Sequence, residues 1–155
     1  MLPIQTVHFV KGIDPVADAL SGTVYTDIVN CAGYGEVTFV LYNGVGATGT
    51  QTLTVEACDD TSGTTTAAIP FWYRQVTTGD TEGTLAAATT TGFTTTAGSS
   101  KVVIISVKSN ALAASGYQYM RLKSVEVVDS PCLAGVLILM SEPRDSYEPH
   151  ATAIV

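Results

Sequence analysis

The sequence predicts an all-β protein, a single β-sandwich of about eight strands, jelly-roll-like in one arrangement, with two short helices and an extended C-terminal arm. Three observations predict it. Apolar and polar residues alternate with a period of two in several stretches, which puts one side of each strand on a core. Clusters of Gly, Asn, Asp, Ser and Pro separate those stretches and supply turns. The marked helix signals are one to two turns long, too short to build a helical layer.

Taken in order, His8 falls in the first strand. Asp14 to Gly22 reads as a helix, with Asp14 as cap, Pro15 at the first helical position and Gly22 as terminator. Val37, Phe39 and Leu41 alternate with Glu36, Thr38 and Val40, and Leu53, Val55 and Ala57 alternate with Thr52, Thr54 and Glu56. Between them, Asn43 to Gly49 is turn chemistry, so these two strands are expected to form a hairpin. Further strands are expected at 69–76, 101–108, 118–128 and 133–141. In the third of these, Met120 and Leu122 lie on one face while Val125 and Val127 lie on the other, which predicts a bulge near Ser124. The last is apolar on both faces, which suits the middle of a sheet or the underside of a subunit contact.

Residues 77–100 are mostly Thr, Gly, Ala and Ser around Leu85 and Phe93, and read either as a long loop or as an extra hairpin. Ser109 to Gly116 repeats the helix logic, Ser109 capping and Gly116 stopping. Pro143 and Pro149 disfavour regular structure, so residues 1–142 are read as one domain and 143–155 as an arm. The arm carries apolar Ile154 and Val155, which suit a docking role.

Composition narrows the function. Of the 155 residues, 46% are apolar and 14% charged, against roughly 25% charged in ordinary soluble domains. Neutral hydroxyls or other protein must therefore cover the surface. The net charge of -7 repels phosphate backbones, and Lys101, Lys108, Arg121 and Lys123 are scattered singly, so no direct nucleic-acid binding is expected. The first residues do not read as a targeting signal, and the run from Leu133 to Met140 is too short to span a bilayer. Cys31, Cys58 and Cys132 are an odd set whose spacings suit neither a disulfide framework nor a zinc site, so buried thiols reduced in a cytoplasm are expected.

Candidate chemistry is sparse. His8 and His150 are the available bases of the usual kind, one in a strand and one in the Pro-rich arm, and both read as surface or packing histidines. Gly44-Val-Gly46 with Gly49 lacks the Gly-Lys-Ser/Thr of a phosphate loop. Glu56, Asp59, Asp60, Asp80 and Glu82 are the acidic concentration, with a weak calcium site as the functional reading and solvated carboxylates as the simpler one. No catalytic, metal or cofactor-binding residue is assigned. Phe71-Trp-Tyr73 is the aromatic cluster, and alternation places Phe71 and Tyr73 on the core face and Trp72 with Arg74 on the opposite one. Trp beside Arg is typical of an interface hot spot, with a sugar-stacking platform or a Trp covered by residues 77–100 as alternatives. Trp72, Arg74, Tyr147, Ile154 and Val155 are therefore the candidate partner-interface residues.

Four segments carry a resemblance: Gly44-Val-Gly-Ala-Thr-Gly-Thr-Gln-Thr-Leu-Thr-Val-Glu-Ala-Cys-Asp-Asp60, Gly92-Phe-Thr-Thr-Thr-Ala-Gly98, Gly116-Tyr-Gln-Tyr-Met-Arg-Leu-Lys123 and Ser141-Glu-Pro-Arg144. Together with the Asp14-Pro15 segment, and over most of the chain from residue 24 onward, the sequence resembles small tailed-bacteriophage virion structural proteins of the head decoration or cement type. The resemblance implies a β-sandwich that multimerises, a trimer being one arrangement, over seams between capsid subunits. It implies the major capsid protein and copies of itself as partners, no cofactor, no membrane, and no catalytic residue to carry over. The expected place is the outer capsid surface, after synthesis in the host cytoplasm. A tail or neck virion protein is the nearest alternative, and a carbohydrate-binding module displaying Trp72, Tyr73, Tyr117 and Tyr119 is a third.

Overall fold

A computed structural model describes residues 2–46, 48–145 and 153–154. Among these the chain is all-β, with thirteen strands in two antiparallel sheets. The larger sheet holds β1 (His8–Val16), β4 (Tyr34–Asn43), β7 (Phe71–Thr78), β8 (Thr81–Glu82), β9 (Ala86–Ala88), β11 (Lys101–Lys108) and β13 (Ala134–Pro143). Its order is β1-β13-β4-β11-β7-β8, with β9 also paired to β7. The smaller sheet holds β2 (Thr23–Tyr25), β3 (Val29–Asn30), β5 (Thr50–Cys58), β6 (Thr66–Ile69), β10 (Phe93–Thr94) and β12 (Tyr119–Val128). Its spine is β10-β5-β12-β2, with β3 on β12 and β6 on β5.

One core joins the sheets. Val37, Phe39 and Leu41 of β4, Ile105 of β11 and Ile138 and Met140 of β13 are fully buried, as are Leu53, Val55 and Ala57 of β5 and Met120 of β12. Each is an apolar member of a period-two pattern, so the alternation does predict which side of each strand is inward. β13 lies between β1 and β4, the central place its two-sided apolar run suits.

Several expectations are corrected. β4 and β5 do not form a hairpin; the segment between them crosses from one sheet to the other. β4 pairs instead with β11 and β13, and β5 with β12, so both strands gain long antiparallel partners distant in sequence. Asp14 and Pro15 are not a helix start but the end of β1, where Val16 pairs with Ala134. A two-turn helix is marginal by itself, whereas an edge strand tolerates a proline at an irregularity, and register shifts flank Ile13 on both sides. The irregularity expected near Ser124 falls a little further along β12: Ser124 pairs regularly with Leu53, and the register shift lies between Glu126 and Val128. Ser124 is buried like Met120 and Leu122 before it, while Val127 and Val128 are simply exposed.

The helix expected at 109–116 is a short 3-10 segment, Ser109–Ala114. Ser109 does not cap it; its hydroxyl donates to the Tyr34 carbonyl and ties the segment to β4. Gly116, at φ 71°, ends it by donating its N–H to the Leu112 carbonyl at 3.1 Å. Residues 77–100 exceed both expectations: they hold β8, β9 and β10, the last of which has crossed to the smaller sheet. Gly92 makes that crossing possible, because it turns at φ 76° and an added Cβ would collide with the Leu53 carbonyl.

The domain also runs slightly past residue 142. Pro143 ends β13 opposite Tyr34, and the Arg144 N–H reaches the Gly33 carbonyl at 2.9 Å. Of the expected arm, Ala153 and Ile154 lie against β3 of the same chain: Ile154 bridges Val29, and the Asn30 N–H donates to the Ala153 carbonyl at 2.8 Å. Tyr147, His150 and Val155 lie outside the described residues.

Candidate interaction face

The two sheets present opposite kinds of outer surface, and strand register shows why. On the smaller sheet, one row runs Thr23, Val125, Thr52, Thr94, and another runs Arg121, Glu56, Ala68. Thr52 and Thr94 share a hydrogen bond at 2.9 Å. Arg121 bonds Glu56 at 2.8–2.9 Å and lies over the Tyr25 ring at 4.0 Å. This surface is mainly hydroxylated and charge-paired, with Tyr25, Val127, Val128 and Ile154 as its exposed large apolar side chains, set at its margins.

The larger sheet differs. Directly opposed residues of antiparallel strands share a face, so its outer surface can be written as rows. One row is Lys11, Leu137, Val40, Ile104, Arg74; the next is Phe9, Leu139, Thr38, Ser106, Trp72, Ala87; a third is Gly135, Tyr42, Val102, Val76, Glu82. The centre of the first row is three apolar side chains in succession. Phe9 is 51% exposed, Tyr42 57%, Trp72 54% and Leu137 41%. Such a contiguous apolar patch marks a protein contact far better than scattered exposed residues do.

Relief adds to composition. At the β1 end, an open groove of about 600 Å³ is lined by Lys11, Ile13, Pro15, Val40, Tyr42 and Leu137. Its floor is low because Gly135 has no side chain; a Cβ there would meet Pro15 at 3.2 Å. At the other end, Trp72 and Leu85 border a second hollow with Arg74 and Ile104. Residues 77–100 do not cover Trp72; β9 runs beside it, Ala87 opposite Trp72.

Polar groups close one border of the face. Lys108 Nζ donates to Glu36 at 2.7 Å and to Glu142 at 2.7 Å, and Ser106 Oγ donates to Glu36 at 2.8 Å. Burial pushes the Glu36 carboxyl up, but the bonds from Lys108 and Ser106 and the ammonium charge outweigh it and hold it below its ordinary value. Lys108 is raised by its bonds to Glu142 and Glu36. Arg74 is paired with Glu82.

The sequence-derived candidates separate accordingly. Trp72 and Arg74 stand on this face, with Phe71 buried and Tyr73 packed on the core behind them, as alternation predicts. Ile154 is elsewhere, beside β3 of the smaller sheet. Phe9, Val40, Tyr42 and Leu137 were missed. A signal existed: Val40 is apolar at an outward position of β4, and β13 is apolar on both parities.

The other candidate chemistry is dispersed. Glu56 is engaged by Arg121 and Lys123, Glu82 by Arg74, and Asp60 accepts bonds from its own loop at Ser62 and Gly63. Among the described residues no group of three or more His, Cys, Asp or Glu side chains is placed to hold a metal ion. His8 lies 5.9 Å from the Tyr34 ring. All three cysteines are buried and unpaired with one another. Burial, with a smaller push from Cys58, raises the Cys31 thiol to about 12, and burial raises Cys58 to about 11. Neither is a nucleophile near neutrality. No helix among the described residues is long and apolar enough to cross a membrane.

In comparisons with known proteins, no family model and no curated protein matches the chain. One solved structure found, titled "Structure of infectious bursal disease virus Gx strain", is 13% identical with a TM-score of 0.26. The match covers 89% of this chain and 40% of that one, so the chain spans less than half the length of its neighbour. At that score the likeness carries no argument about either fold or function.

Proposed function

We propose that this protein is a structural virion protein of the capsid decoration or cement type. It sets the outer face of its larger sheet on the major capsid protein, beside further copies of itself, and acts by binding without catalysis. The observation that carries this reading is the contrast between the two sheets: one outer face is mainly hydroxylated and ion-paired, while the other offers Val40, Tyr42 and Leu137 around a groove at one end, Trp72 beside a second hollow at the other, and exposed Phe9 on the edge strand. The sequence resemblance to phage decoration proteins supports the identity of the partner. Repeated on a regular shell, modest contacts of this kind become strong collectively. The Thr-rich smaller sheet is then left to face solvent on the capsid exterior.

The test is a particle assay with two substitutions on the face, Leu137→Lys and Trp72→Ala. Both side chains point outward and are about half exposed, so the isolated chain should keep its melting temperature within a few degrees. Attachment to capsids should fall at least tenfold, and unmodified particles should carry the protein in a fixed ratio to the major capsid protein. A handful of copies per particle would overturn the decoration role in favour of a tail or neck position. Unchanged attachment of both variants would remove the face from the account.

A further inference from the structure

We infer that Ala153–Ile154 is an exchangeable strand, seated on β3 of its own chain here and able to occupy the same seat on a second copy. The seat is defined by described residues on both sides. Ile154 forms an antiparallel bridge with Val29, and the Asn30 N–H donates to the Ala153 carbonyl at 2.8 Å. Ala153 is 1% exposed and belongs to the core cluster, while Val29 beneath is fully buried. The segment therefore completes the core and extends the smaller sheet outward from β12 through β3.

Three features make the seat suited to exchange. First, the segment lies outside β3 at the margin of the smaller sheet, so opening it uncovers Val29 and the Ala153 methyl but leaves the pairing of the main strands intact. Second, none of the contacts depends on which chain supplies the strand. Backbone pairing to Asn30 and burial of an alanine methyl are the same in trans, the condition under which swapping is a low-cost route to dimers. Third, the sequence between the two anchored points is long. The domain's last described tie is the Arg144 N–H to Gly33, three residues from Asn30. Asp145 to Thr152 supplies eight residues to cover that short separation, yet fully extended they could reach about 28 Å. A connection of that length closes the short path and can also reach a neighbour.

The occupant is thus a second copy of this chain, contributing its own residues 153 and 154. The inference goes beyond the capsid reading and does not need it, since exchange is a property of the free chains.

Complementation between two full-length variants tests it. Ala153→Arg cannot bury its segment but keeps an intact seat, so it is the acceptor. Asn30→Pro loses the N–H that bonds Ala153, on the outward edge of β3 where proline is tolerated, so it keeps its strand but loses its seat. Differently tagged, each should capture few copies of itself, and the mixture should capture the partner at least tenfold more. A synthetic peptide of residues 145–155 should bind the Ala153→Arg chain and displace the donor. If the mixture captures no more than either variant alone, while both keep the wild-type circular dichroism, exchange is overturned. If a variant misfolds, peptide binding to the folded acceptor decides alone, and absence of binding overturns the inference. Capsid attachment is read separately, so failure of one does not mimic failure of the other.

Discussion

The rings of Tyr73 and Phe93 stack with centroids 3.6 Å apart and 9° between their planes, and they come from different sheets. Tyr73 is on β7 and Phe93 on β10, so the pair ties one end of the sandwich together. Phe71 completes the group, 6.1 Å from Phe93. Phe93 therefore adds an aromatic anchor to the short pairings of β8, β9 and β10 that hold the Thr-rich stretch between β7 and β11.

Phe93→Ala removes that tie. The ring is partly buried, so the loss should be about 2–3 kcal/mol, below the full value for a buried aromatic and including the stacking contribution. Phe93→Leu should recover most of it. Urea unfolding measures both, and limited proteolysis should show earlier cleavage within 77–100 in the alanine variant. A loss of about 0.5 kcal/mol or less would match a surface substitution, and closure of the sandwich would then lie elsewhere.

Glu56 and Arg121 supply a second test. Their side chains are only 10% and 13% exposed, and the carboxylate also has Lys123 at 3.5 Å. Removing one partner of such a pair strands a charge, whereas replacing both need not. Arg121→Met should cost about 3 kcal/mol, the lower end of the range because Lys123 remains. Glu56→Gln combined with Arg121→Met should cost less than Arg121→Met alone. Additive losses in that double-mutant cycle would mean that the two side chains do not depend on each other.

Which side of a strand faces inward was legible; which strand it pairs with was not. Val37, Phe39 and Leu41 declare a buried face by local alternation. Their partners, Met140, Ile138 and Val136 on β13, lie about a hundred residues on, and no local signal names them. The turn chemistry at Asn43–Gly49 was real but served a crossing between sheets. Asp14-Pro15 had correct helix-start residues, and pairing to Ala134 overrode them. The interaction face suffers most from this limit. Its rows combine residues from β1, β13, β4, β11 and β7, so Phe9 and Trp72 fall in one row only once all five strands are in register. Trp72 and Arg74, two residues apart on one side of a single strand, were nominated beforehand; the outward apolar positions of β4 and β13 were a weaker signal that named no partners.

Acidification should weaken the border of the face. Burial raises the Glu36 carboxyl and its bonds from Lys108 and Ser106 lower it, with a net value below the ordinary 4.5. The native state therefore binds this proton less tightly than the unfolded chain does. Its contribution is fully present above the unfolded value and is lost as pH falls through the lower native one. At about pH 7, Glu36→Gln should be less stable than wild type, and the gap should narrow as pH falls below the ordinary 4.5 and through the lower native value. Denaturant midpoints across that range measure it. A gap that stays constant with pH would mean that ionisation of Glu36 contributes nothing.

Ser124 offers the opposite prediction, a substitution that stabilises. It is 2% exposed on the inward side of β12, and its hydroxyl has no hydrogen-bond partner among the described residues. Its backbone is paired normally with Leu53 and Val24, so the strand does not depend on the side chain. A buried hydroxyl without a partner forfeits its hydration for nothing, a cost of about 1–3 kcal/mol. Alanine removes that oxygen with little change in volume. Ser124→Ala should raise stability by about 1 kcal/mol, with the denaturant slope unchanged because the exposed area is the same. A loss of stability would reveal that the hydroxyl is satisfied by a buried water, and a bound water beside β12 would then be part of the core.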